Sequence, residues 1–249
     1  MGKALHAELQ KARRRHDLLI CLAVPVVVYL WAGAEAPTGA DELANAYSAL
    51  LFALPVLNAI LMPIVMALIA SRLWDMEVKG STTKLLYTLQ SRASLYGAKT
   101  ALGEVYLTAV VMLETVGLLG VGRLSGVTEP LNLSQLVWTA ASTLAVDALL
   151  FLGGCLLCIR FGQTLLVMGV GLACSLCGLF AAYMPIRFAY FVPFAYFLPL
   201  SCVALDWNFE TRSGRYYALP FQLPMLALTV ALAVLLLVLG WRAVQNKEV

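Results

Sequence analysis

The sequence predicts an all-α, polytopic membrane protein with six transmembrane helices in a single domain that covers residues 1–249. Three observations predict this fold: 61% of the residues are apolar, only 12% are charged, and the mean hydropathy is +0.85. An average soluble domain is about 45–50% apolar and about 25% charged. The charged residues are clustered, and the stretches between clusters are about as long as a bilayer crossing. The composition therefore excludes a water-soluble enzyme and a disordered chain.

Six apolar stretches have about the length that a bilayer crossing requires. They cover residues 18–34, 47–70, 100–122, 133–159, 164–183 and 221–241. An even number of crossings places both termini on one side. Of the 17 Lys and Arg residues, 13 fall on that side and four on the other, namely Arg123, Arg187, Arg212 and Arg215. Because positive charge is enriched in cytoplasmic segments, we expect both termini in the cytoplasm.

Residues 1–17 form a basic segment with the pattern of an amphipathic helix. Leu5, Leu9 and Ala12 recur at helical spacing, with Lys and Arg on the opposite face. We expect this helix to lie on the inner membrane surface, with its basic face on anionic lipid. A basic stretch, a short apolar run and residues 32–34 (Ala-Gly-Ala) also fit a cleaved secretory signal, but the basic segment is typical of an interfacial helix.

Several kinds of chemistry are excluded by what the sequence lacks. The two histidines, His6 and His16, precede the first predicted span. A zinc protease or a Ser–His dyad inside the membrane is therefore excluded. The sequence contains no G-x-x-x-x-G-K-[ST] motif, so this chain does not bind ATP through a P-loop. We expect a non-catalytic protein.

Four cysteines have the C-x2-C-x15-C-x2-C spacing of a zinc site, at positions 155, 158, 174 and 177. The two pairs are offset by roughly 10 Å along a helical hairpin at the rise of an α-helix. That offset is too large for one metal ion with Zn–S bonds of about 2.3 Å. The sequence therefore predicts packing residues and no metal.

Three carboxylates fall within predicted spans: Glu104, Glu114 and Asp147. Intramembrane charges are costly and mark candidate functional sites. Glu104 follows Lys99 by five residues, and we expect it near the inner surface beside that lysine. Glu114 and Asp147 lie about 18–21 Å from the inner ends of consecutive antiparallel spans. They are candidates for one shared site, in which at least one acid is expected to be protonated. The alternative is hydrogen bonding to Ser or Thr across a helix interface.

The polar inner segment, residues 71–99, is too long for a simple turn. Gly80, followed by Ser81 and Thr82, predicts a helix break and an N-cap. Leu85 and Leu86 then form the apolar face of a short helix on the inner surface. A soluble partner could move the spans through such a helix. The alternative is a solvated loop with one helical turn.

The inner segment also carries a set of residues at distinctive spacings. They are Glu77, Gly80, Lys84, Ser91, Arg92, Tyr96 and Lys99. An acidic residue, a glycine, a lysine, Ser–Arg, a tyrosine and a lysine at these spacings resemble the coupling segment of type-2 ABC-exporter permeases. Residues 7–11 with the arginines at 13–15 are similar to the opening amphipathic helix of that family. The length and the lack of a fused nucleotide-binding domain are most like permeases of lantibiotic-immunity and peptide-antibiotic export systems.

The resemblance implies the partners and the cofactors. The family combines two permease chains, the same or related, with ABC ATPase subunits that bind ATP and Mg, so this chain itself has no cofactor. The substrate would be an amphipathic peptide or drug, the location a bacterial plasma membrane, and nucleic acid would not be bound. The residues implied to couple ATP hydrolysis to transport are Glu77, Gly80, Ser81, Thr82, Lys84, Leu85, Leu86 and Arg92.

The outer segment, residues 184–220, is rich in aromatic residues and interrupted by prolines. Residues 183–221 contain 12 of the 25 aromatic residues, together with prolines at 185, 193, 199 and 220. The segment is too apolar for an ordinary loop and too broken for a straight span. We expect short re-entrant or interfacial helices, as in the family that the chain resembles. Its charged residues would line an outer vestibule: Arg187, Asp206, Glu210, Arg212 and Arg215.

Two other functions remain open from the sequence. One is a proton-coupled secondary transporter that uses Glu114 and Asp147. The other is a membrane scaffold or sensor subunit that transports nothing. The inner segment favours the ATP-driven exporter, because a secondary transporter does not need a docking helix.

Overall fold

The computed structural model describes residues 2–15, 19, 23, 26–28, 30, 43–79, 91–208 and 213–246. These residues form six long helices: α1 Gly2–Arg15, α2 Ala46–Lys79, α3 Arg92–Leu124, α4 Leu133–Phe161, α5 Thr164–Tyr183 and α6 Leu223–Gln245. Two 3-10 turns, Ala189–Phe191 and Pro193–Ala195, and two strands, β1 Val203–Asn208 and β2 Ser213–Ala218, lie between α5 and α6.

Within the described residues, five helices, α2 to α6, are long and apolar enough to cross a membrane. They correspond to the last five predicted spans, and α5 has the predicted bounds, 164–183. Of the first predicted span, 18–34, the structure describes residues 19, 23, 26–28 and 30, which are helical. Helix α2 is central and packs on both α4 and α5, while α4 also packs on α6 and α3 packs on α1. The fold is that of a multi-pass membrane protein.

A proline inside α2 determines how closely α5 approaches it. Pro63 has no N–H, so the carbonyl oxygen of Ala59 loses its intrahelical donor. Gly178 of α5 packs directly against that carbonyl, and a Cβ at position 178 would collide with it. One residue past the proline, the backbone N–H of Ile64 donates to Oγ of Ser175 at 3.2 Å. Small and hydroxyl residues of α5 therefore accommodate the interrupted turn, as expected for close helix packing in lipid.

Substituting Gly178 with alanine should separate α2 from α5. The added methyl group would meet backbone atoms, which cannot rotate away, and overpacking of this kind costs about 1–3 kcal/mol. The measurement is thermal unfolding of the purified chain in detergent. Gly169→Ala is the matched control, since the same change on the same helix meets nothing within 4 Å. Equal unfolding temperatures for the two variants would contradict this account of the contact.

The inner segment is more helical than its polarity suggests. Helix α2 continues through residues 71–79, and α3 already begins at Arg92, where Oγ of Ser91 caps the first turn by accepting from the backbone N–H of Ser94. Spans two and three therefore extend as helical arms beyond the predicted limits of 70 and 100. The predicted break at Gly80 and the predicted short helix lie outside the described residues.

The outer segment contains an antiparallel pair of strands, called the hairpin below, so the prediction of re-entrant or interfacial helices is wrong for residues 203–208 and 213–218. Strands β1 and β2 pair antiparallel, with Val203 opposite Ala218 and Asp206 opposite Arg215. Prolines at 199 and 220 bracket the hairpin and prevent a continuous helix. Aromatic and β-branched residues favour strands, and pairing satisfies backbone groups that a broken helix would leave open. The fold is therefore not purely α-helical.

The hairpin and the α3–α4 loop pack on the starts of α2 and α4. Trp138 of α4 donates from Nε1 to the carbonyl oxygen of Leu200 at 2.8 Å and stacks on Phe221, with ring centroids 4.8 Å apart. Glu129 accepts hydrogen bonds from the backbone N–H and the hydroxyl of Ser48, at 3.0 and 2.5 Å. A carboxylate at this position satisfies free N–H groups and complements the dipole of α2. We call this end of the bundle the hairpin end.

Candidate functional site

A buried ion pair joins α1 to the rest of the protein at the end of the bundle opposite the hairpin. Nζ of Lys99 on α3 lies 3.1 Å from Oε2 of Glu8 on α1, and the two side chains are 1% and 2% exposed. Lys99 also donates to the carbonyl oxygen of Leu73 on α2 and lies 5.4 Å from the ring centroid of Trp74. One lysine therefore holds α1, α2 and α3 together. We call this end the α1 end.

The ion pair is surrounded by enough positive charge to keep Glu8 ionised. Burial alone would raise the pKa of the Glu8 carboxyl, but the charge of Lys99 and a 2.6 Å contact with Lys11 hold this pKa below its usual value of 4.5. Lys99 reaches the carboxylate from α3, and Lys11 reaches it from the next turn of α1. A charge left here without its partner would be costly.

Helix α1 is docked on protein, so the prediction of a helix whose apolar face is Leu5, Leu9 and Ala12 is only partly right. Ala4, Glu8 and Ala12 form the buried stripe, whereas Leu9 is 47% exposed. The two alanines bring the backbone of α1 close to α3, and the close approach allows the short Glu8 side chain to reach Lys99. The available sequence signal was a charged residue flanked by alanines at positions i−4 and i+4.

Other contacts gather the remaining helix ends at the α1 end. Oγ1 of Thr164, the first residue of α5, donates to Oδ1 of Asp75 on α2 at 3.2 Å. Nη1 of Arg92 donates at 2.5 Å to the carbonyl oxygen of Gln245, in the last turn of α6. A cation at a helix C-terminus satisfies free carbonyl groups and complements the helix dipole. The two helical arms are thereby braced by α5 and α6.

The structure describes two of the eight predicted coupling residues. Glu77 is in the last turns of α2, and Arg92 begins α3 and contacts α6. The other six, Gly80, Ser81, Thr82, Lys84, Leu85 and Leu86, lie outside the described residues. Sequence reasoning missed the Glu8–Lys99 pair, because Lys99 was assigned to the solvated inner segment and matched with Glu104.

A second group of polar residues lies deep between α2, α3 and α4. Glu114 is 2% exposed, and Asn58 and Asp147 are fully buried. Nδ2 of Asn58 donates to Oε2 of Glu114 at 3.4 Å. Within the described part of the chain, Oε1 of Glu114, Oδ1 of Asn58 and both oxygens of Asp147 have no hydrogen-bond partner. The predicted alternative, acids bonded to Ser or Thr, is not what the described residues form.

Asp147 lies within electrostatic range of both Glu114 and Glu104. Glu104 is half-buried on α3, on the α1 side of Glu114. A small cavity lies on the hairpin side of Glu114, between Leu51, Thr139 and Thr143. The volume open to the centre of a water molecule is about 10 Å³, which is room for about one water.

The predicted outer vestibule residues are only partly described. Arg187 is exposed beyond the end of α5, and Asp206 and Arg215 are exposed opposite each other on the hairpin. Glu210 and Arg212 lie outside the described residues. The structure therefore places three of the five at the hairpin end.

Comparison with known proteins gives one family match. A family model described as ABC-2 family transporter protein matches residues 4–177, well over half of the chain. The match covers helices α1 to α4 and most of α5, and it includes both the Glu8–Lys99 pair and the group of Glu114 and Asp147. A search of curated proteins found no match.

Proposed function

This chain belongs to the ABC-2 family of transporter proteins, and we propose that it is the permease subunit of an ATP-driven exporter whose ATPase docks at the α1 end. The family is that of transmembrane components that associate with ABC ATPase subunits. Separate chains would therefore bind ATP and Mg, and this chain would convert their motion into movement of the spans. Both termini and the α1 end would face the cytoplasm of a bacterial cell.

The observation that carries the proposal is the rigid frame around residues 80–90. The helical arms 71–79 and 92–99 flank these residues, and Lys99 joins both arms to α1. A force applied to the arms would be transmitted directly to the spans, because each arm is a continuous part of α2 or α3. Asp75 and Arg92 would pass the same displacement to α5 and α6. This is the mechanical arrangement that an external ATPase requires.

The placement of α1 also supports the sixth crossing. Helix α1 packs on α3 beside Lys99, whereas α2 begins at the opposite end, where Ser48 meets Glu129. Arg15 and Ala46 therefore lie toward opposite ends of the bundle, which supports the proposed crossing between them.

Amphipathic peptides or drugs are the substrate class that we propose, as in lantibiotic immunity and antibiotic resistance. Such molecules partition into the membrane interface and can be moved along a lipid-facing route. Exposed apolar side chains cover α5, α6 and the segment that follows α5, including Leu165, Phe180, Phe191 and Val234. A second permease chain, a copy of this one or a related chain, would complete the route.

The test is whether an ABC ATPase co-purifies with the chain in mild detergent and hydrolyses ATP faster when an amphipathic cationic peptide is added. We expect both. Co-purification without stimulation by any amphipathic substrate would favour the scaffold or sensor function. Transport by the purified chain alone, driven by a pH gradient and without ATP, would favour the secondary transporter. A soluble peptide of equal charge that does not bind lipid serves as the control substrate.

A further inference from the structure

The group formed by Asn58, Glu114 and Asp147 has oxygens that the surrounding protein does not satisfy. Among the described residues, the only hydrogen bond to these three side chains is the one from Asn58 to Glu114. Three side chains that are buried to at least 98% thus leave four acceptor oxygens open. An unsatisfied buried polar group costs free energy comparable to a lost hydrogen bond, and this cost is higher for a charged one.

Within the part of the chain that the structure describes, the apolar stretches of the surrounding helices carry no cation that could neutralise the two acids. Residues 49–71 of α2, 164–183 of α5 and 223–241 of α6 contain no Asp, Glu, His, Lys or Arg. The charged groups that act on Asp147 are Glu114 and Glu104, and both are acidic. Lys99, farther toward the α1 end of α3, is engaged with Glu8 and Leu73. Two carboxylates in a low-dielectric site without a cation resist double ionisation.

We propose that Glu114 and Asp147, with Asn58, form an intramembrane proton-binding site that exchanges its proton with water at the hairpin end. A proton on either acid converts one open acceptor into a donor group and removes one negative charge from the site. Asn58 then fixes the orientation of Glu114 through its amide group. The inference goes beyond the proposed function, since an ATP-driven permease does not require a proton site.

The cavity beside Glu114 gives the route for exchange. It lies on the hairpin side of the acids, because Thr139 and Thr143 precede Asp147 by eight and four residues on α4, or about 12 and 6 Å. A single water in this space can accept a proton from Glu114 and pass it toward the hairpin end. The hydroxyl of Thr143 lines the space and offers that water a further hydrogen bond.

Infrared spectroscopy of the full chain tests the site without any ATPase. At neutral pH we expect the C=O stretch of a protonated carboxylic acid, which shifts in D₂O, and we expect Glu114→Gln with Asp147→Asn to remove it. Asp206→Asn, on an exposed carboxylate of the hairpin, should leave it unchanged. Absence of the band in the unmodified chain, or its persistence in the double variant, would overturn the proposal. If the double variant does not fold, each single variant should remove part of the band.

A second substitution tests the route. Thr143→Val keeps the shape of the side chain and removes its hydroxyl, so the acid band should remain but exchange its hydrogen for deuterium several times more slowly. Thr108→Val on the exposed side of α3 is the matched control and should exchange at the original rate. An unchanged rate in Thr143→Val would overturn the route from the hairpin end. Neither result depends on ATPase docking, so failure here is distinguishable from failure of the exporter function.

Discussion

Replacing Glu8 with methionine should release α1 from the bundle and destabilise the protein by up to about 3–5 kcal/mol, the cost of leaving a buried charge without its partner. Lys99 would lose its carboxylate partner and keep its contacts with the carbonyl oxygen of Leu73 and the face of Trp74. If α1 undocks, water can reach Lys99 again. The loss of stability is then no larger than the free energy with which α1 docks. A cysteine introduced at position 12, which is 5% exposed, should then react rapidly with a thiol reagent.

Single and double substitutions of Glu8 and Lys99 separate the effect of the buried charges from the effect of lost packing. Lys99→Met alone should cost less, because Glu8 retains its contact with Lys11. The double change Glu8→Met with Lys99→Met should recover much of the loss, since apolar replacements of a buried ion pair are often neutral or stabilising. Gln10→Met, on the exposed face of α1, should have little effect. Equal losses in the double variant and in Glu8→Met would contradict the role of the ion pair.

The same pair predicts a pH dependence of α1 docking. The pKa of Glu8 is below 4.5 in the folded protein, so the ionised form is the one that folding stabilises. Its contribution is fully present above about 4.5 and decreases as the pH falls through the lower pKa of the folded state. With Glu8 in place, the labelling of a cysteine introduced at position 12 should therefore increase only in acid, relative to the labelling of a free thiol at the same pH, because labelling requires the thiolate. In Glu8→Met it should no longer respond to pH in that range.

Reversing the charge of Glu77 should reduce ATPase binding and substrate-stimulated turnover about tenfold or more, equivalent to about 1.4 kcal/mol or more. Glu77 lies in the last turns of the α2 arm, beyond the apolar part of the span. A lysine there keeps the helix but presents the wrong charge to the docked ATPase. Insertion into the membrane should be unaffected. The measurements are the amount of ATPase that co-purifies and the turnover of the assembled complex.

A control for this variant must introduce a lysine at the same end of the bundle. Gln163 suits this purpose, because it is exposed in the α4–α5 turn and its side chain makes no capping hydrogen bond. Gln163→Lys should leave docking and turnover close to normal. Glu129 is unsuitable as a neutral control on the outer side, since it caps α2 through Ser48. If Glu77→Lys and Gln163→Lys behave alike, the α2 arm does not contact the ATPase.

The positions of the spans could be predicted because the bilayer imposes them. A crossing needs about 20 apolar residues, and this requirement is local, so hydropathy alone located α5 at 164–183 and the apolar parts of α2, α3, α4 and α6. The absence of a P-loop motif from the chain and the predominance of helix are likewise properties of composition and short motifs. Resemblance in the inner segment indicated the transporter family, and the family match confirmed that coarser prediction.

The limits of the helices and the hairpin were not predictable from the same pattern. Hydropathy falls at residue 71 and rises at residue 100. The helices nevertheless extend past both positions, because polar residues outside lipid also form helices. The hairpin at 203–218 depends on which backbone groups find partners. Asp206 lies opposite Arg215 only because the two strands pair in this register.

The sequence by itself determined that this protein lies in a membrane, where it crosses, and that it carries acids within its spans. Only the tertiary structure decided which polar groups meet. Glu8 and Lys99 are 91 residues apart in the chain, and Asn58 and Glu114 are 56 apart. Hydrophobic burial is nearly additive along a sequence, whereas the energy of a charge or a hydrogen bond depends on the distance and direction of one partner. For that reason composition predicted the membrane domain, and depth along the spans predicted that Glu114 and Asp147 share a site. Packing alone revealed the Glu8–Lys99 pair and the contact of Asn58 with Glu114.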